Sequence, residues 1–189
     1  ALPRQQTLRA MMDWSYDLLE ENQKKLLARL SVFAGGWSLE AAEAVCCGEG
    51  LEEWEVLDLL TALADKSLVV AEEQEGTTRY RLLETVRQYA REKLASEPGG
   101  EQYRRQHLVY FMALAEEAEP LLIGPQQRIW FEKLETEHDN LRAALLWCRE
   151  AEGHSRTGLQ FAGALWRFWQ THGHFAEGFE WLKTAIKKA

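Results

Sequence analysis

Hydrophobic positions recur at helical spacing along almost the whole chain, and strand spacing is found in only one stretch. That stretch lies within residues 65–90, where a short apolar run, Leu68–Ala71, precedes a polar segment, Glu72–Thr78, that holds Gly76. Apolar and arginine positions then alternate over residues 79–82, as in a half-buried strand. Because one β-hairpin is not stable alone, it must pack on helices. The pattern predicts a helical domain with one hairpin, the outline of a winged helix.

Four helical segments precede the hairpin, and a fifth begins at Leu83. Ser38 is a suitable N-cap for the third segment, because its hydroxyl can accept a hydrogen bond from a backbone N–H of the first turn. The fourth segment, Glu52 to Asp65, is predicted to turn its apolar side chains inward. Those side chains are Trp54, Leu57, Leu60 and Ala64.

The stretch from Ser96 to Gly100 contains a proline and two glycines and is the strongest linker signal in the chain. It predicts a winged-helix domain over residues 1–95, a linker over 96–100 and a helical domain over 101–189. The last two helices of that domain, joined at Gly173, are similar to the second half of a tetratricopeptide repeat. Gly178 is expected where these two helices approach each other closely.

Composition limits the classes of protein that this chain can represent. Its 189 residues, 46% of them hydrophobic, are enough to bury a core, and the net charge of −8 argues against a protein that mainly grips phosphate backbones. Three sparse cysteines fit a reducing cytoplasm. No apolar run approaches a membrane span of about 20 residues. The chain starts without a methionine, so we expect a piece of a longer, cytoplasmic protein.

Known catalytic motifs are missing from the sequence. It has no phosphate-binding GxxxxGK[ST] loop, no HExxH and no CxxC, so we predict that the chain is not an enzyme and holds no cofactor or metal. His172 and His174 flank a turn glycine, which favours solvent exposure or helix capping over metal binding. Most aromatic side chains in the last helix pair are expected in the core, with one or two lining a groove of a repeat array. The candidates for that groove are Trp166, Trp169 and Trp181.

Charge is distributed unevenly around the hairpin. The helix before it, Glu52–Lys66, carries five acidic residues and one basic residue, which would repel DNA phosphates. The stretch after it, Arg79–Lys93, carries five basic residues and two acidic ones. The basic stretch is either a solvated face, a partner for the acidic helix, or a docking face. DNA binding ranks below these interpretations.

Several ordered blocks of the sequence resemble one family, the region that follows the nucleotide-binding domain in bacterial STAND-class signalling ATPases, many of which are predicted transcriptional regulators. The blocks are LRAMMDWSYDLL, LLARLSVFAGGWSLEAAEAVC, VLDLLTALADKSLVV, YRLLETVRQYAREKL and EHDNLRAALLW. The resemblance implies a winged helix followed by helical repeats that sense a protein or small-molecule signal. It also implies that ATP or ADP binds to a nucleotide-binding module elsewhere in the parent protein.

The resemblance departs from the related NB-ARC proteins at the junction between hairpin and helix. Their Met-His-Asp motif, whose histidine contacts ADP, corresponds here to Leu82, Leu83 and Glu84. A leucine cannot donate a hydrogen bond to phosphate, so that contact cannot be assigned to Leu83. The docking face for the nucleotide-binding module is instead expected on four arginines. These are Arg79, Arg81, Arg87 and Arg91.

Together, these observations predict a mainly α protein with a non-catalytic regulatory role. It would pack on the nucleotide-binding module and couple signal binding by its helical repeats to activation of that module. A DNA-binding winged-helix transcription factor and a protein-interaction scaffold are the alternatives. Nucleic acid and membrane are not expected as partners of the chain.

Overall fold

The computed structural model of the chain describes residues 3–74, 76–151 and 154–188. These residues are mainly helical and include one small sheet, as the sequence predicts. The helices are α1 (Pro3–Asp17), α2 (Glu21–Leu30), α3 (Leu39–Cys46), α4 (Val56–Asp65), α5 (Glu84–Ser96), α6 (Gly100–Leu121), α7 (Gln127–Thr136), α8 (His138–Glu150), α9 (Ser155–Thr171) and α10 (Phe175–Lys188). The strands are β1 (Gly36–Ser38), β2 (Val70–Gln74) and β3 (Thr77–Arg81).

The chain forms two compact units, Ala1–Tyr103 and Arg104–Ala189. The first contains helices α1 to α5 and the sheet. Its elements follow the winged-helix order from α2 onward: helix, short strand, two helices and a hairpin, with α5 after the hairpin. The second unit contains α6 from Arg104 onward and the helices α7 to α10. The winged helix followed by a helical region confirms the predicted fold class.

The sheet has three strands, one more than the single hairpin that the sequence predicts. β1 pairs antiparallel with β3, which also pairs with β2, and the strand order is β1-β3-β2. At Gly36 the strands approach so closely that a Cβ would lie 3.1 Å from the carbonyl oxygen of Tyr80. β1 has only three residues, which is too few to show a strand period in the sequence.

The hairpin is longer than the sequence indicates. Most of the predicted polar turn, Glu72–Thr78, is strand, because β2 continues to Gln74 and β3 begins at Thr77. Gly76 reverses the chain with a φ of +82°, as expected, and residue 75 lies outside the described residues. The outer part of this hairpin is exposed and polar, and the Thr77 hydroxyl donates a hydrogen bond of 2.9 Å to the carbonyl oxygen of Gln74 across the turn.

The core of the winged-helix unit forms around α2. Leu26, Leu27 and Leu30 of this helix are completely buried. The rings of Phe33 and Trp37 stack beside them, with centroids 5.2 Å apart. α3 then begins at the predicted cap, because the Ser38 hydroxyl accepts a hydrogen bond of 3.2 Å from the backbone N–H of Ala41.

In the helical unit, α9 and α10 pack against each other on either side of Gly173. Gly178 lies at their closest approach, where a Cβ would overlap the buried ring of Trp169. α6 continues to Leu121 and includes Pro120 in its last turn. None of the described helices is both long and apolar enough to cross a membrane.

Candidate functional site

A buried arginine fixes the turn that joins α3 to α4. The guanidinium of Arg29 donates hydrogen bonds of 2.8 Å to the carbonyl oxygen of Cys46 and 2.7 Å to that of Gly48. It also lies 4.4 Å from the centre of the Tyr103 ring. Buried carbonyl groups are costly without a donor, so Arg29 is a positioning residue for the helix-turn-helix. The sequence gives no signal for it, because a single arginine on an amphipathic helix normally faces solvent.

The exposed face of α4 is partly apolar, which corrects the predicted orientation of this helix. Trp54 is 76% exposed and Leu57 is 47% exposed, although both were expected in the core. Leu60 is buried as predicted, Ala64 is half-buried, and the other buried side chains are Val56 and Leu63. A 3-10 turn over residues 53–55 precedes the α-helix and breaks the regular helical phase on which the prediction relied.

The same face is acidic. Asp58 and Asp65 are exposed on it, with Glu52 and Glu53 at its beginning. The basic residue at its end, Lys66, donates a hydrogen bond of 2.7 Å from its ammonium group to the Gln23 side chain. In a winged helix this helix is the one that enters the major groove, where phosphates flank it on both sides. The negative charge of this face therefore repels DNA phosphates and would attract a basic surface.

Two of the predicted docking arginines bond to the chain just after α2. The Arg91 guanidinium donates a hydrogen bond of 3.2 Å to the carbonyl oxygen of Ser31. Arg87 lies 3.5 Å from the carbonyl oxygen of Phe33 and forms a 2.7 Å ion pair with Glu84. Carbonyl groups at the end of a helix carry partial negative charge and favour nearby cations. Both arginines therefore contribute to the fold, and their docking role stays a prediction.

The other two docking arginines lie on β3. Arg81 donates two hydrogen bonds, of 2.9 and 2.8 Å, to one carboxylate oxygen of Glu72 on the neighbouring strand. Arg79 lies opposite Ser38 in the β1–β3 register and also has an interaction partner within the protein. The four arginines thus have internal partners before any ligand or protein binds.

At the junction between hairpin and α5, Leu82 is buried and Leu83 is exposed. Leu83 precedes the first helical residue, and its extended backbone makes no side-chain capping bond. Glu84 lies in the first turn of α5, where a carboxylate suits the helix dipole. A nucleotide contact at this junction would therefore need a group other than the Leu83 side chain.

The three tryptophans considered for a repeat groove have different environments. Trp169 is 1% exposed and belongs to the core of the helical unit, so it does not line a groove. Trp166 is half-buried and packs against the Phe175 ring. Trp181 lines a shallow cavity between α8, α9 and α10, and the Arg149 guanidinium lies 5.1 Å from its ring.

Comparison with known proteins supports the winged helix and a link to transcription. Residues 19–95 match the family described as the winged helix-turn-helix domain. The chain is 46% identical over 99% of its length to predicted HTH-type transcriptional regulators of Mycobacterium tuberculosis and Mycobacterium bovis, and spans 21% of their length. An uncharacterized M. tuberculosis protein is 47% identical over 50% of the chain, which covers 24% of that protein. No solved structure is significantly similar to the chain.

These comparisons favour the DNA-binding alternative over the ATPase-sensor role predicted from the sequence. A winged helix-turn-helix family points toward nucleic acid, which the sequence interpretation had set aside as a partner. The comparisons show neither the STAND ATPase link nor the tetratricopeptide character of the last helices. Residues 19–95 thus fold as a winged helix and match the winged helix-turn-helix family, and the chain is homologous to predicted HTH-type transcriptional regulators.

Proposed function

We propose that this chain acts within a longer transcriptional regulator, and that its winged helix binds protein through the exposed face of α4. The homologous regulators support the general role. The protein contact rests on one observation, the combination of exposed apolar and acidic side chains on α4. That face presents Leu57, Asp58 and Asp65 of α4, together with Trp54 in the 3-10 turn directly before it.

An exposed tryptophan surrounded by carboxylates is suited to protein recognition. Tryptophan is enriched among the residues that dominate binding energy, and its truncation in an interface costs about 2 kcal/mol or more. The acidic residues around Trp54 would steer a basic partner and disfavour phosphate. The partner surface is therefore expected to be basic, with an apolar pocket for the indole.

Another part of the same regulator is the partner that fits best, because the chain spans only 21% of the relatives that it matches along its length. The resemblance to STAND-class proteins suggests the nucleotide-binding module, which would hold ATP or ADP. In this mechanism, a protein or small-molecule signal bound by the helices from α6 to α10 would change the contact made by α4. The chain itself would carry out no catalysis.

DNA binding is the second candidate, because the family of residues 19–95 favours it. A mobility-shift assay with mixed-sequence duplex DNA at low salt separates the two candidates. Protein docking predicts no shift at about 10 μM chain, whereas even non-specific DNA binders reach dissociation constants of 10⁻⁴–10⁻⁶ M at physiological salt and bind tighter below it. A shift that salt abolishes, and that Asp58→Arg strengthens, would establish DNA binding by α4 instead.

The protein contact is tested by mixing the chain with the other segments of its regulator. Trp54→Ala and the double substitution Asp58→Lys, Asp65→Lys should each weaken binding about tenfold or more. Glu116→Lys with Glu117→Lys is the matched control, since it makes the same change in net charge at exposed positions of α6. Equal losses in the control and the α4 variants would show a general charge effect and refute docking by α4.

A further inference from the structure

A cluster of histidine and glutamate side chains occurs in the helical unit, apart from the winged-helix face. Glu135 lies in the last turn of α7, His138 is the first residue of α8, and His174 directly precedes α10. One potential ligand atom from each of these three residues lies within 4.8 Å of the other two. Imidazole nitrogen and carboxylate oxygen together form a donor set that suits zinc and similar ions.

The contacts within the cluster centre on one carboxylate oxygen. Oε2 of Glu135 lies 3.2 Å from Nε2 of His174 and 3.4 Å from Nδ1 of His172. The imidazole rings of His138 and His174 face each other, with centroids 4.1 Å apart. Two short segments, residues 135–138 and 172–174, therefore bring three potential metal ligands together, with His172 beside Glu135.

His138 contributes a buried nitrogen that lacks a hydrogen bond. Its Nε2 atom is inaccessible to solvent and has no hydrogen-bond partner, and the side chain is 13% exposed. The nearest carboxylate belongs to Glu177, 3.8 Å away, which is too long for a hydrogen bond. Buried polar atoms normally have a partner, so this nitrogen indicates a missing one. A metal ion would fill that role.

The surroundings hold the histidine rings in place. The buried Phe168 ring packs against both His138 and His174, and Phe131 stacks on His172. Such packing limits the rotamers of the ligands and prepares a site for its ion. Glu135 is about half exposed, which leaves a route from solvent.

The positive charge of the neighbouring Arg142, which by itself would oppose a cation here, is offset by Glu177. The Arg142 guanidinium lies 2.7 Å from the Glu177 carboxylate, which also accepts a 3.3 Å hydrogen bond from the indole N–H of Trp181. Glu177 is thus engaged by two donors. It is therefore not counted among the ligands.

We propose that Glu135, His138 and His174 bind a divalent first-row transition metal ion, with Zn²⁺ as the reference ion and His172 as the nearest further donor. Ligand atoms around tetrahedral zinc lie about 3.3 Å apart, so binding needs only side-chain rotation to close the present spacing. The ion would join the end of α7 and the start of α8 to the turn before α10. This site is independent of the function proposed for α4.

Cobalt is the most direct probe of the site, because Co²⁺ replaces zinc and has visible absorption. The purified 189-residue chain should bind one Co²⁺, show tetrahedral d–d bands, and lose them on addition of one equivalent of Zn²⁺. Zinc at about 100 times its dissociation constant should raise the melting temperature by about 5 °C. Magnesium should do neither, since it prefers oxygen ligands.

Substitutions within the cluster test whether Co²⁺ binds there. Glu135→Gln and His174→Gln should each weaken Co²⁺ binding at least tenfold, without changing the far-ultraviolet circular dichroism of the metal-free chain. His154→Gln is the matched control, a histidine of the same unit that packs beside Trp147 and lies outside the cluster. Absence of stoichiometric Co²⁺ binding by the folded wild-type chain, or unchanged binding in both cluster variants, would overturn the proposal.

Discussion

The winged-helix unit and the helical unit each have a characteristic kind of internal contact. In the winged-helix unit, buried or half-buried guanidinium groups donate to backbone carbonyls, as Arg29 does at the turn before α4. In the helical unit, aromatic rings pack against small residues, as Trp169 does against Gly178. Hydrogen bonds from guanidinium groups thus add to the apolar core of the first unit, and close packing at small residues adds to that of the second, so the two units should respond to different substitutions.

The comparison also separates charge that stabilises the fold from charge that is available for binding. Arg81, Arg87 and Arg91 each have partners within the winged-helix unit. The exposed carboxylates of α4 lie instead beside exposed apolar side chains. A net charge counted along the sequence does not distinguish these two situations, although they have opposite consequences for binding.

The largest effect is expected at Arg29. Arg29→Met should lower the free energy of unfolding by about 3 kcal/mol, because the buried carbonyl group of Cys46 would lose its guanidinium donor and that of Gly48 would keep only the Leu51 backbone N–H. Urea titration followed by circular dichroism measures the loss. Arg167→Met, at an exposed position of α9, is the control and should change stability by less than about 0.5 kcal/mol. Equal stability of the two variants would contradict the role given to Arg29.

Alanine substitutions at two glycines test whether close packing at small residues stabilises the helical unit. Gly178→Ala should destabilise the chain by about 1–3 kcal/mol, since the added methyl group would overlap the Trp169 ring. Gly163→Ala in α9 has open space around its Cβ and should stabilise by about 0.5–1 kcal/mol, because alanine favours a helix. Melting temperatures that move in the same direction for both variants would refute this packing argument.

The smallest changes in the free energy of unfolding are expected for substitutions at Arg87 and at Trp54, which lie on two different faces of the winged helix. Arg87→Ala should cost about 1 kcal/mol, because it removes both the ion pair to Glu84 and the contact with the Phe33 carbonyl. Trp54→Ala should leave the free energy of unfolding within about 0.5 kcal/mol, since its side chain is largely exposed. If Trp54→Ala were the more destabilising, its side chain would belong to the core after all.

The helices and the winged-helix order could be predicted from the sequence, because apolar spacing directly reports a buried helical face. The orientation of α4 could not, since a 3-10 turn before it shifts the face on which Trp54 lies. β1 was also missed, because three residues show no period. In each case a local irregularity, which hydrophobic periodicity averages away, decides the structure.

The two candidate sites differ in how far the sequence could indicate them. The sequence drew attention to His172 and His174. That Glu135 and His138 lie close to these histidines depends on how four helices pack. Their spacing, Glu-x-x-His followed later by His-x-His, was the available signal. On the winged helix, the arginines stood out by charge, whereas the exposed apolar residues of α4 were hidden by their resemblance to core positions.

The order of the small sheet has a consequence for the behaviour of the protein in solution. β3 is covered on both sides, so the edges belong to β1, which has three residues, and β2, which carries Glu72 and Glu73. Short or charged edges are poor templates for adding a strand from another molecule. The hairpin can therefore project from the domain without promoting aggregation between copies.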